Sequence, residues 1–142
     1  MSSATWANAP IDLQDHLQRL ERIGLLQKIN RKIDKDSELH PLVRWQFQGG
    51  IPSDDRKAFL FNDVTDAKGK IYNMPVVVGA LAANPEIYAA GLGVKVSEIG
   101  DVWTRAMDNP IQPVSVDNAP CQEVIMIGND LKRPGGGLAA LP

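Results

Sequence analysis

Apolar residues recur along the chain at helical spacing in some stretches and as short unbroken runs in others. Leu13, Leu17 and Leu20 fall at i, i+4 and i+7, one face of a helix. Asp12 precedes them as an N-cap, and Asp15, three residues on, makes a variant of the capping box. Gly24 supplies the stop, because glycine accepts the left-handed conformation that helix ends often need. Leu25 to Ile33 then reads as a strand, with Leu25, Ile29 and Ile33 along one face.

A second helix is expected to start between Ser37 and His40, since Pro41 is tolerated only near a helix start. Leu42, Trp45 and Phe47 supply its expected apolar face, Gly49-Gly50 ends it, and Ile51 to Lys57 is a polar loop. Ala58-Phe59-Leu60-Phe61 reads as a buried strand, followed by a turn signal centred on Gly69. Pro75 to Gly79 reads as another, with proline at the first residue, where no ladder donor is lost. Asn84-Pro85 opens a helix that carries Ile87 and Tyr88 and stops near Gly91 or Gly93. Ser97-Glu98 opens one more, with Ile99, Trp103 and Met107, closed by Pro110.

Strand-like pieces return at Val114 to Val116 and at Cys121 to Ile127, the latter expected to be buried on both faces. Lys132 to Pro142, with Gly135-Gly136-Gly137, reads as a linker or a loop that expects more chain. Alternating strands and helices predict an α/β fold, helices packed on a small sheet; α+β stays open because the alternation is not strict. Residues 1–10 form an expected flexible lead-in, 11–117 the folded domain, and 118–142 the start of a connection.

Composition narrows the partners. The 142 residues suggest one domain, and 44% hydrophobic with 23% charged residues suit a globular chain. Fifteen basic against 17 acidic residues leave a net charge of −2, which gives no electrostatic reason to expect nucleic acid or an anionic membrane as partner. No apolar run approaches the roughly 18 residues needed to span a bilayer. Met1 to Pro10 has no basic stretch followed by an apolar core, so no signal peptide is expected. Cys121 is the only cysteine, which excludes a disulfide within the chain and fits a reducing cytoplasm.

Few residues carry the pattern of a reactive site. His16 borders the first helix's apolar stripe without a partner at hydrogen-bonding spacing, so a structural or solvent role is expected. His40 reads as a capping or surface residue, and two isolated histidines do not make a metal site. Asp34, Asp36 and Glu38 alternate as calcium ligands can, but the glycine turn and later glutamate of a calcium loop are missing. They read as acids favouring a helix N-terminus. Cys121 lies in an apolar run and is expected to be a buried, inert thiol. The triple glycine lacks the helix and Lys-Ser/Thr of a phosphate cradle. Trp6, Trp45 and Trp103 read as core or interface anchors.

Four segments in order resemble the N-terminal part of the UbiD family of decarboxylases. Ile11 to Leu17, leading through Gly24-Leu25-Leu26 to Ile29-Asn30-Arg31-Lys32-Ile33-Asp34, is similar to the family's opening helix, glycine turn and strand ending in acids. Ala58 to Val64 resembles its "lLFeNV" strand, Met74 to Gly79 its "xPVVxN", and Asn118 to Val124 its "aPvqEvv". Leu141-Pro142 is similar to the entry into the flavin domain. The resemblance implies a decarboxylase, or carboxylase, of aromatic or α,β-unsaturated acids that uses prenylated FMN with manganese and potassium. It implies homo-oligomers for the complete enzyme, and a flavin-binding domain of the same or another chain as partner.

In the family the glutamate–arginine–glutamate network and the metal ligands lie in the flavin domain, and no position here matches them. The resemblance therefore assigns no catalytic, cofactor-binding or metal residue, and this chain alone is expected to bind no cofactor and to be inactive. Two other readings stay open. One is a small subunit or binding module that associates with a catalytic partner. The other is a self-contained enzyme, which would need His16, His40, the Asp34–Glu38 acids and Cys121 to meet in space.

Overall fold

Capping decides where the first helix begins. In the computed structural model, which describes residues 8–142 apart from the side chains of Ala139 and Ala140, α1 spans Leu13–Arg22. The Asp12 carboxylate accepts from the Asp15 N–H at 2.8 Å, and Asp15 accepts in turn from the Ile11 N–H. These bonds satisfy N–H groups that a helix start otherwise leaves unpaired. Leu17 and Leu20 are buried, while Leu13, at the open end, is exposed. Gly24 turns the chain out of the helix at φ +75°.

The chain then builds a sheet around one central strand. β1 (Leu26–Asp34) leads through a single π-helical turn, Lys35–Leu39, into α2 (His40–Gln48). β2 (Ala58–Thr65) returns parallel to β1, with Leu26 opposite Ala58 and Ile29 opposite Phe61. A parallel pair needs such a crossover, and α2 provides it. β3 (Ile71–Tyr72) and β4 (Val76–Val78) both pair antiparallel with β2, on its other edge, leaving β1 an outer strand. β3 is too short for the sequence to announce. α3 (Pro85–Leu92) and α4 (Ile99–Asp108) complete the described elements.

The buried residues fall into two clusters. On one face Ala58 packs with Leu17 and Leu20 of α1 and with Ala83 and Ile87 at α3. On the other, Phe61 and Val64 pack with Ile33, Leu39 and Tyr72, and with Leu42 and Val43 of α2. Helices thus cover both faces of a mixed sheet, which makes the fold α/β. Phe61, Leu20, Ile33 and Ile87 are fully buried, each worth about 1.5–3 kcal/mol of hydrophobic stabilisation. A register shift between Ile29 and Lys32 marks a β-bulge, and the Asn30 and Asn62 side chains hydrogen-bond beside it at 2.6 Å.

Two expectations need correction. The inward face of α2 is Leu42, Val43 and Gln46, with Leu39 just before the helix, not Leu42, Trp45 and Phe47; Trp45 is 59% exposed. Gln46 can be buried because its amide bonds both backbone groups of Lys57. The strands expected at Val114–Val116 and Cys121–Ile127 do not form. Val114 is 84% and Ile127 72% exposed, and only a 3-10 turn, Pro120–Gln122, interrupts irregular chain. An apolar run becomes a strand only against a sheet edge, and no described strand pairs with these segments.

Candidate functional site

A cavity of about 420 Å³ lies between the start of α1 and the end of α3. Pro10, Leu13, Leu81, Leu92 and Tyr88 form much of its wall, with His16 and Gly91 also lining it. His16 is only 5% exposed, and its Nε2 stands 2.6 Å from the Ala80 carbonyl oxygen. A carbonyl can only accept, so Nε2 carries the proton and donates. In the neutral ring Nδ1 is then an acceptor, and it is the one buried side-chain polar atom among the described residues without a partner. The Tyr88 hydroxyl accepts from the Trp103 indole N–H at 2.7 Å, which joins α3 to α4.

A second cluster gathers charges at the end of β1 and β2. The Asp34 carboxylate caps the π-helical turn by accepting from the Asp36 and Ser37 N–H groups. The Ala67 N–H and then the Lys35 ammonium hold the Asp36 carboxyl below the usual carboxylate range. Glu38 is lowered by the Asp34 N–H and by Arg31, and Asp66 by the N–H groups of Lys70 and Lys68 and by the Tyr72 hydroxyl. Burial, then the neighbouring Asp66 charge, push the Tyr72 phenol up. Each of these carboxylates is engaged in fixing backbone, which is a structural use. Among the described residues no three His, Cys, Asp or Glu side chains come together as a metal site requires.

The residues singled out by sequence do not converge. His16 sits with α1 on one face of the sheet, whereas His40 is exposed on α2 at the other. The acids run from the last residue of β1 into the π-helical turn, and Cys121 is exposed in the 3-10 turn rather than buried in a strand. The triple glycine folds back on the preceding turn. A Cβ on Gly136 would overlap the Asp130 carbonyl oxygen, so close backbone approach fixes glycine there. Trp6 lies outside the described residues, and Trp45 and Trp103 are both at least half exposed.

Two contacts escape a sequence reading. The Ala80 carbonyl lies 64 residues from His16, and Gln46 meets Lys57, 11 residues further along the chain. Gly91 did leave a signal: a glycine inside a helical stretch often marks close packing. No family model matches the chain.

Proposed function

We propose that this chain is the N-terminal scaffold portion of a UbiD-like decarboxylase of aromatic or α,β-unsaturated carboxylic acids. Prenylated FMN, with manganese and potassium, belongs to a flavin-binding domain that this scaffold packs against and helps to shield. The residues described here do not fit the cofactor or its metals, since no set of three ligands converges and the glycine run packs on its own turn. No chemical step is therefore assigned to them.

The observation that carries this reading is the exposed apolar surface after α4. Ile111 is 91% exposed, and Val114, Val116, Val124, Ile125, Ile127, Leu131, Leu138 and Leu141 are exposed with it. Neither core includes any of them. Exposed apolar side chains concentrated in one stretch of chain favour a partner. Within it lies Asn118 to Val124, one of the four segments that carry the resemblance. No helix among the described residues is long and apolar enough to cross a membrane. A cytoplasmic location goes with the assignment and suits the lone free thiol of Cys121.

Two measurements test the reading. The purified chain should neither retain prenylated FMN nor release carbon dioxide from an aromatic acid. Added in trans to a UbiD-type flavin-binding domain, it should gain amide-exchange protection between Ile111 and Leu141. Yellow flavin bound by this chain alone, with decarboxylation, would overturn the scaffold role.

A further inference from the structure

A separate cavity, of about 320 Å³, opens between α2 and β4 on the Phe61 side of the sheet. Leu39, Val43 and Val78 line it, together with His40 and Arg44, which are exposed and stand one turn apart on α2. β4 lies at the sheet margin opposite β1. It pairs only with β2 among the described strands, and Val76, Val77 and Val78 are each half-buried. A marginal strand with a helix beside it and an apolar hollow between them suits an extended segment, which adds as a further strand and drops alternate side chains into the hollow.

The chain itself carries a segment of matching chemistry. Glu123 to Ile127 is rich in strand-forming residues, yet Val124, Ile125 and Ile127 are all exposed and no described strand pairs with them. In an extended segment Glu123, Ile125 and Ile127 fall on one face, because side chains alternate. Charge matches as well. Arg44 uses its Nε on Gln48, and among the described residues neither Arg44 nor Glu123 has an ion-pair partner. Elsewhere in the same tail the match fails. Ile111 to Val116 contains Pro113, which lacks a ladder donor, and Leu138 to Leu141 carries no acid.

We propose that the groove between α2 and β4 takes Glu123 to Ile127 of a second copy of this chain. The segment adds to β4 as a further strand. Ile125 enters the hollow among Leu39, Val43 and Val78. Glu123, one pleat away on the same face, meets the Arg44 guanidinium and an N–H of His40. Each copy supplies its segment to the other, so the exchange closes on a twofold dimer rather than growing into a filament. The inference goes beyond the scaffold role and stands without it. The rest of the tail, Ile111 to Val116 and Leu131 to Leu141, stays free for a flavin-binding domain.

The test is sedimentation equilibrium of the full chain, with no flavin domain present, so its failure leaves the scaffold reading untouched. The parent should dimerise in the micromolar range. Arg44→Glu and Glu123→Arg should each weaken the dimer about tenfold or more, since each sets like charges against one another at both symmetric contacts. The double variant, Arg44→Glu with Glu123→Arg, should recover most of that loss. Ile125→Asp should leave a monomer. Arg44, Glu123 and Ile125 are exposed and outside both cores, so these variants keep the fold, which circular dichroism checks. A parent that stays monomeric at 100 micromolar, on the order of the concentrations at which weak dimers form, would overturn the proposal. So would a dimer that either single reversal leaves unchanged, that survives Ile125→Asp, or that the double variant does not recover.

Discussion

Gln46 grips the backbone of Lys57 with both ends of its amide. Its Nε2 donates to the Lys57 carbonyl at 2.9 Å and its Oε1 accepts from the Lys57 N–H at 2.7 Å. The pair imitates a strand partner at the point where the chain enters β2, and it pins α2 over the Phe61 core. Gln46→Ala removes both bonds and leaves two backbone groups to find water. A loss of about 2 kcal/mol is expected, read as a lower urea midpoint with an unchanged slope. Gln48→Ala, at an exposed position of the same helix, should stay within about 0.5 kcal/mol of the parent. Equal effects at the two positions would deny the clasp its role.

The acids at the end of the sheet predict a one-sided response to pH. Asp36, Asp66, Glu38 and Asp15 all have carboxyls held below their ordinary values. An unfolded chain then takes up protons more readily than the folded one. Their stabilisation is present above the unfolded value, about pH 4, and is lost as pH falls through the lower folded values. The urea midpoint should therefore decline below about pH 4. Asp66→Asn should flatten part of that decline. At the alkaline end Tyr72 acts in the opposite sense, because its raised value favours the protonated folded form. Its contribution should fade above about pH 10. A midpoint indifferent to acid would contradict the hydrogen bonds that lower these groups.

Deleting residues 111–142 should leave the fold standing. Neither core contains a side chain from this stretch. The shortened chain should keep its far-ultraviolet circular dichroism and its urea midpoint, and should bind less of a hydrophobic dye. Loss of cooperative unfolding in the shortened chain would mean that the stretch contributes to the core after all.

Cys121 should react with a thiol reagent in the native protein about as fast as in urea, because it is exposed in the Pro120–Gln122 turn. Protection of the thiol until unfolding would restore the buried strand that the apolar pattern suggested.

Local chemistry was legible in the sequence, and distant chemistry was not. Asp12 with Asp15, and Asn84 with Pro85, mark helix starts because a cap acts within three residues. Val76 to Val78 and Ala58 to Phe61 announce strands because both helical layers bury them. The face of α2 was misread because its burial turns on a polar residue, Gln46, whose partner lies elsewhere in the chain. Cys121 to Ile127 was misread because β-branched apolar residues specify an aptitude for pairing, not the presence of a mate. The burial of His16 against Ala80 depends on a contact that spacing does not encode.

The outer strand β1 bears on how the molecule avoids its own kind. It is nine residues long and pairs only with β2 among the described strands. Lys28, Arg31 and Lys32 line it in the open, and the bulge after Ile29 breaks its regularity. Charge and irregularity of this kind discourage fibril growth from a sheet margin. Crowded copies of the chain would thus be kept from stacking at that margin.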